Sequence, residues 1–374
     1  MLPVLPYEGD PRKGRLSGLI TCPDGFRENS MTLSVKLEKE NIPEWDAYVN
    51  SHPQATNYHQ YAWKKVIEES FGHEGLFLSA RKESGAICGI LPLIHMKSRL
   101  FGDFLVSLPF LNYGGVLCDD LSCEEVLLEE AQKLKTRLNV GSVELRHLNR
   151  KCAELTTKSH KVTMILDLAQ NEEDQWKKFD PKVRNQVRKA EKNGLQVISG
   201  RMELLNGFYE VFCRNMRDLG TPVYGKEFFQ NVLDTFPAST RILSVTLNGR
   251  TIASGFMAWF KDTVEVPWAS SSRDHLDLCP NNLLYWEAIK LGVCTGAKKF
   301  DFGRSTPGGG TYRFKKQWGA ESVPLYWQYL VAEGSSMPEL NPSNPKYRLA
   351  IEVWKRLPIG VTKFMGPRIV RSIP

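Results

Sequence analysis

Shifted by 165 positions, the chain aligns with itself without a gap: FGHEGLFLSARKESGAICGI (71–90) lies over FPASTRILSVTLNGRTIASG (236–255). Phe71 meets Phe236, Leu78-Ser79 meets Leu243-Ser244, and Ile87 meets Ile252. A repeat of this kind constrains the fold before anything else, because each copy must be a unit of secondary structure that packs beside its twin. Both copies read as a helix end, a strand, a tight turn and a second strand. The turns fall at Glu83-Ser84-Gly85 and at Asn248-Gly249. Asn-Gly between strand-like runs is a strong hairpin signal.

The flanks repeat the same pattern. YAWKKVIEES (61–70) and KEFFQNVLDT (226–235) precede the hairpins, and both read as amphipathic helices. Downstream, CEEVLLEEAQKLKTRLN and then SVELRHL match NNLLYWEAIKLGVCTG and then KKFDFGR as helix plus strand. Each of these strands carries one acid between apolar residues, Glu144 and Asp301. Agreement at every level favours duplication over chance. The expected fold class is therefore α+β, two tandem units over 31–155 and 156–335. Residues 1–30, rich in Pro and Gly, are expected to be a poorly ordered leader. Residues 336–374 form a tail: a helix at about 345–356, then LPIGVTKFMGPRIVRSIP. That last piece is apolar and cationic without an acid, and either docks on the protein or rests on the inner face of an anionic membrane.

Composition narrows the function classes. The net charge of +7 favours anionic partners. Eight cysteines form no CxxC pair, and seven histidines form no HExxH or HxH, so neither a zinc site nor a disulfide framework is expected. No metal is assigned, and the free cysteines suit a reducing cytosol. MLPVLPYEGDPRKG lacks the basic region and apolar stretch of a signal peptide, and no apolar run approaches the roughly 20 residues of a membrane span. A cytoplasmic protein is expected.

Two cationic features stand out. DPKVRNQVRKAEKNG (180–194) reads as a helix capped by Asp180, started by Pro181 and ended by Gly194. Phe179, Val183, Val187 and Ala190 make its apolar stripe. Arg184, Arg188 and Lys192 make a cationic one, either a solvated face or a grip for donor phosphates. The second feature is KKFDFGRSTPGGGTYRFKKQWG (298–319). Gly308, Gly309 and Gly310 follow a strand, but Thr311-Tyr312 stand where a P-loop needs Lys and Ser or Thr. The continuation TYRFKKQWGAESVPLYWQYLVA alternates as a strand, which argues against a dinucleotide turn. The reading left is a flexible loop at a strand end, either a surface hairpin loop with solvated lysines or one whose glycines make room for a substrate. Tyr312, Lys316 and Trp318 are assigned with those glycines to substrate binding. Asn112 and Tyr113 in LNYGG, and Tyr224 in TPVYG, are either turn residues or walls of an acceptor groove. His59 reads as structural rather than as a base.

Taken in order, the doubled unit, the arginine-rich helix, PNNLLYWEAIKLGVCTGAKKFDFGRS and YRFKKQWG resemble the FemAB-type family over residues 40–332. ATNYHQYAWKKVI, LVSLPFLNYGG and RDLGTPVYGKEFF look like its subgroup associated with exosortase/PEP-CTERM and exopolysaccharide gene clusters. The resemblance implies two GNAT-like acyltransferase domains and an aminoacyl transfer from aminoacyl-tRNA to an amine on a peptidoglycan precursor, without a metal. It also implies that Lys315, in Phe314-Lys315-Lys316-Gln317-Trp318-Gly319, stabilises charge during transfer. Two departures stand. The position aligned with the family's diphosphate-binding lysine is Ile67, with Lys64 and Lys65 nearby. The loop SSSRDHLDLCPNN has no glycine where acetyl-CoA enzymes carry their pyrophosphate motif.

Acyl transfer to an amine needs a deprotonated nucleophile, alignment and a stabilised oxyanion. Lys315 with Arg304 is expected to serve the oxyanion. Asp301 either orients a cation and accepts a proton, or is a structural carboxylate at the strand end. The chain is then an acyl- or aminoacyltransferase forming an amide on a cell-envelope or exopolysaccharide precursor. It needs no cofactor beyond an acyl-CoA or aminoacyl-tRNA donor. The rivals are an acyl-CoA-dependent N-acyltransferase acting on an amino sugar, and a non-catalytic subunit that binds glycan or phosphate.

Overall fold

The turn expected at Asn248-Gly249 closes with both residues in the left-handed region, φ +50° and +77°. This is the arrangement that matches the twist of a two-residue hairpin. It belongs to a computed structural model that describes residues 32–98, 102–149, 155–331 and 345–373. The leader and the residues 150–154 between the two copies lie outside the described residues.

The first copy runs through β1 (Ser34–Glu38), α1 (Pro43–Ser51), α2 (Trp63–Phe71), the hairpin β2 (Glu74–Arg81) and β3 (Ile87–Ser98), β4 (Gly102–Val106), β5 (Leu117–Cys118), α3 (Leu121–Arg137) and β6 (Ser142–His147). The second begins with β7 (Thr156–Asp167), α4 (Glu172–Lys178), α5 (Pro181–Lys192), β8 (Gln196–Gly200), α6 (Leu205–Leu219) and α7 (Lys226–Thr235). It continues through the hairpin β9 (Thr240–Leu247) and β10 (Arg250–Phe260), then β11 (Thr263–Ser271), α8 (Pro280–Cys294), β12 (Lys299–Ser305), α9 (Gly310–Lys316) and β13 (Glu321–Val331). The tail contributes α10 (Pro345–Arg356) and α11 (Ile359–Val370).

Among the described residues, twelve strands join in one mixed sheet in the order β1-β2-β3-β4-β6-β13-β7-β12-β11-β10-β9-β8, with β5 paired to β3 off that path. The order is a palindrome of the repeat: β1-β2-β3-β4-β6 enters from one edge and β8-β9-β10-β11-β12 from the other. Between them, β13 pairs with β6 on one side and β7 on the other, so the sheet runs unbroken through the middle.

Among the described residues, each copy contains one parallel pair that opens soon after it forms. β11 lies parallel to β12 only over Thr263–Glu265 and Lys299–Asp301, although both strands run on. β4 lies parallel to β6 only over Leu105–Val106 and Val143–Glu144. The matched acids Glu144 and Asp301 therefore stand where their parallel pairs end. The cores follow the pleat, except that the register shift between β10 and β11 at Phe256 and Ala258 carries Trp268 to the face opposite Val264 and Val266. Phe300, Phe302, Val264 and Val266 pack under α5 and α8 with Trp286 and Ile289. Phe256 and Trp268 join α6 and α7 through Phe208, Phe228 and Phe229 on the other face.

The helix expected at 180–194 forms as read. Asp180 accepts from the Lys182 N–H, Pro181 opens α5, and Phe179, Val183, Val187 and Ala190 are buried. One expectation fails. Residues 310–316 form the helix α9, not a strand, and the strand begins only at Glu321. Seven residues are too few for a helix to hold alone. Packing decides it: Phe314 sits against Tyr285 and Trp318 in the second-copy core.

Candidate functional site

β12 carries a bulge in its register with β7 between Asp301 and Arg304. Gly303 lies in it at φ +77°, where an L side chain is strained. The bulge turns the Gly303 N–H back to the Asp301 carboxylate at 2.7 Å. It also turns the carbonyls of Gly303 and Arg304 toward α9, where the Lys315 ammonium donates to both, at 2.9 and 3.1 Å. Bulges of this kind re-aim groups beside functional sites.

Asp301 is wholly buried and accepts from Tyr113 Oη at 2.7 Å and Thr163 Oγ1 at 2.5 Å, besides the Gly303 N–H. Burial raises its pKa against the lowering effect of those donors and of Lys315. The carboxylate is thus not at an open strand end. With three donors fixed on it, its geometry is that of a positioning group for Tyr113 and for the bulge. Lys315 is also buried, and burial drives its pKa down to about 8, the nearby Asp301 opposing and Arg304 adding to the fall. Two of its three N–H donors are occupied, which leaves one without a partner among the described residues.

A second buried acid faces the first across the parallel pair. Glu265 is in register with Asp301 and accepts from Asn57 Nδ2 at 2.8 Å and Tyr58 Oη at 2.6 Å. Burial, then the charge of Asp301, pushes its pKa up to about 8. Tyr58 meets Tyr113 edge to face at 5.1 Å. A continuous chain Glu265–Tyr58–Tyr113–Asp301 therefore crosses between the copies, its tyrosines from the first and its acids from the second. A cleft of ≈ 570 Å³ opens beside it, lined by Asn57, Tyr113, Ile165, Lys261, Glu265 and Val323 among others.

Arg304 lies near this chain, its charge felt by the Tyr58 phenol. It is exposed, 5.2 Å over the Trp327 ring, and Arg146 lies 4.6 Å over the same ring. Arg146 is neutralised by Glu144 at 2.7 Å. Among the described residues, no carboxylate lies within ion-pair distance of Arg304, and surrounding protein, then Arg146, lowers its pKa. Lys161 adds a cation, bonded to Thr306 at 2.7 Å, its own pKa lowered by burial and then by Arg304. The result is an accessible cationic rim beside a buried acid pair, an arrangement suited to hold an anionic or carbonyl oxygen.

Of the residues expected from sequence, the fold gathers Lys315, Asp301, Arg304, Asn112 and Tyr113. The Asn112 Nδ2 lies 3.5 Å from the Cβ position of Gly303. Tyr224 packs among Phe71, Phe110 and Phe228, and its phenol feels the charge of Arg304 and Arg146. Other expectations need correction. Trp318 lines no groove: it is 1 % exposed and packs on Phe179 and Phe302, because α9 turns it into the core. The glycines do not form an open loop. Gly308 takes φ +76°, Gly309 caps α9 and returns its N–H to Thr306, and Gly310 starts the helix. They make the sharp strand-to-helix turn that sets Lys315 under the bulge. Tyr312 rests against the core and Lys316 is exposed, its ammonium 5.9 Å over the Tyr312 ring. Arg188 lies over Trp176, and Arg184 is half-buried on the same helix; neither joins the Lys315–Asp301 network. Ile67 is a core residue, while Lys64 and Lys65 are paired with Glu68 and Glu69 of their own helix. His59 bonds Thr56 in its local turn.

Glu265, Tyr58, Asn57 and Arg146 were not singled out by sequence. A weak signal existed for Glu265, an acid alternating with apolar residues in TVEVPW, as in the strands of Glu144 and Asp301.

Residues 177–316 match the family model described as an acetyltransferase (GNAT) domain. No curated protein matches the chain by sequence. Among solved structures, FemX is similar at 16% identity with a TM-score of 0.58, over 84% of this chain and 100% of that one. The C-terminal domain of a putative lysylphosphatidylglycerol synthetase from Agrobacterium fabrum is similar at 11% identity and TM-score 0.53, over 78% of this chain and 91% of that one. A tandem GNAT protein from the clavulanic acid biosynthesis pathway is similar at 9% identity and TM-score 0.53, over 82% and 100%. The fold of the chain is therefore that of two tandem GNAT-type units sharing one mixed sheet.

Proposed function

We propose that the chain is an acyltransferase whose reaction takes place where β12 parts from β11, between Arg304 and the buried Asp301–Lys315 pair. The observation that carries this reading is the Lys315 ammonium. It is held by two carbonyls of a bulged strand, beside an arginine with no carboxylate partner among the described residues, inside a segment that matches an acetyltransferase domain. In this reading Lys315 gives its remaining N–H, and Arg304 its guanidinium, to the oxygen that gains charge as the acyl group moves. As the new C–N bond forms, the acyl C–S or C–O bond to the donor breaks, and the proton lost by the incoming amine ends on the departing thiol or ribose oxygen. Tyr113, fixed by Asp301, positions the acceptor. The acceptor is an amine-bearing envelope or exopolysaccharide precursor and the donor an aminoacyl-tRNA, in line with the likeness of fold to FemX.

A second donor is favoured by a separate observation. The matched domain is described as an acetyltransferase, so an acyl-CoA feeding an amino sugar fits the same site. The two separate by direct assay: purified protein is offered radiolabelled acyl-CoA or aminoacyl-tRNA with an amine acceptor, and retained ligand is identified by mass spectrometry. Retained CoA with transfer from acyl-CoA selects the second donor. Transfer from neither, by folded protein, leaves the non-catalytic binding subunit.

A further inference from the structure

The tail helices carry a surface that the transfer reading does not use. α10 and α11 both pack on α6 and on the body behind it. Their inner faces are spent there. Trp354, Thr362, Gly366 and Val370 are buried, Gly366 against Val223, and His73 donates to the Arg371 carbonyl at 2.6 Å. Their outer faces repeat one pattern. On α10, Leu349 (73% exposed) and Val353 (52%) lead to Arg356; on α11, Val361, Phe364 (65%) and Met365 lead to Arg368. At helical spacing each set forms one stripe pointing away from the protein. Arg368 lies 4.0 Å over the Phe364 ring, holding charge and apolar surface together. Leu219, 54% exposed, ends α6 beside α10, since its neighbour Gly220 abuts Ile351.

Charge concentrates on the same segment. Residues 345–374 contain seven Lys and Arg against one acid, Glu352, nearly all of the chain's net +7. Beside α11 lies a groove of ≈ 590 Å³ lined by Lys226, Lys363, Arg368 and Arg371, against Glu69 and Glu227. No helix among the described residues is long and apolar enough to cross a membrane. Exposed apolar stripes fringed by arginine, on helices that cannot span, are what an interfacial element presents to a bilayer.

We propose that α10 and α11 form a docking surface for an anionic lipid bilayer, seating the protein on the membrane through Leu349, Val353, Val361, Phe364 and Met365 with Arg356 and Arg368 at the headgroups. The groove beside α11 then faces the lipid phosphates. The occupant follows from the charge: a protein partner or second copy meeting this face would need an acidic apolar counterpart, whereas a bilayer of anionic lipid supplies both elements everywhere. The test uses the full chain and vesicles of phosphatidylcholine alone or mixed with phosphatidylglycerol, followed by co-sedimentation. Binding to the mixed vesicles at least about tenfold above the neutral ones, weakened by salt, is expected. Arg356→Glu with Arg368→Glu should lower it about tenfold or more, and Leu349→Ser with Phe364→Ser should lower it on both vesicle types. These positions are exposed, and circular dichroism melts check that the variants fold. Absence of binding to mixed vesicles, equal binding to both, or a dimer in light scattering that Leu349→Ser with Phe364→Ser dissociates, each overturns the proposal.

Discussion

Replacing Lys315 with Met tests the buried ammonium most sharply. The thioether fills much the same volume without a charge. In the folded chain the Lys315 pKa lies at about 8, against an ordinary 10.5. The folded state therefore binds fewer protons than the unfolded chain between those values, and stability rises with pH across the window. Below pH 8 both states hold the proton, and the full cost of burying the ammonium is present. Above 10.5 neither holds it and the cost is gone. A shift of that size corresponds to about 3 kcal/mol. The absolute stability of Lys315→Met combines this relief with two orphaned carbonyls and an uncompensated Asp301. The pH dependence of the difference between variant and native protein isolates the lysine. Urea unfolding at intervals from pH 7 to 10.5 should show the native chain gaining on the variant by up to about 3 kcal/mol, mostly above pH 8. A difference that stays flat through the window would falsify the assignment of Lys315 as a buried, charged group at neutral pH.

Further expectations concern the neighbours of that lysine. Glu265 has its folded pKa raised from 4.5 to about 8, so its protonated form stabilises the fold at low pH and that contribution is lost as pH rises through 8. Glu265→Gln should gain on the native chain between pH 4.5 and 8, by at most about 5 kcal/mol, read from the same denaturant curves. Arg304→Ala removes a side chain with no carboxylate partner among the described residues and should change stability by no more than about 1 kcal/mol, the scale of its contact with the Trp327 ring, while abolishing most transfer; an unimpaired rate removes Arg304 from the site. Gly303→Ala forces a Cβ into φ +77° and should cost about 1–2 kcal/mol in thermal unfolding, with the larger loss in turnover because the bulge aims both Asp301 and Lys315. Trp318→Ala should cost about 3–5 kcal/mol as a core truncation, visible as a lowered melting temperature and not as a raised KM.

What could be read from sequence was what is local. Asp180, Pro181 and Gly194 punctuate α5 within a few residues, and Asn248-Gly249 dictates its own turn, so both were legible. The repeat exposed the matched acids Glu144 and Asp301 and with them β6 and β12, one strand of each parallel pair, but not their partners β4 and β11. The misread segment is equally instructive. Tyr312, Phe314 and Trp318 suit strand or helix alike, and only the distant Tyr285 and Phe179, by offering a place for Phe314 and Trp318, make residues 310–316 helical. The Glu265–Tyr58 and Asp301–Tyr113 bonds join residues 207 and 188 positions apart. Such pairs come from how the two copies share a sheet, which no window of sequence contains. Arg146 and Trp327 met in the same way, through the pairing of β6 with β13.

The central claim, that this site transfers an acyl group, is tested most directly by one measurement. Purified chain is incubated with labelled aminoacyl-tRNA and, separately, labelled acyl-CoA, each with an amine-bearing envelope precursor fraction, and the product is analysed for a new amide by mass spectrometry. The account predicts label in a base-stable amide from one of the two donors, lost in Arg304→Ala under conditions where that variant remains folded. Label that never leaves either donor, with native protein shown to be folded and to bind that donor, would contradict it.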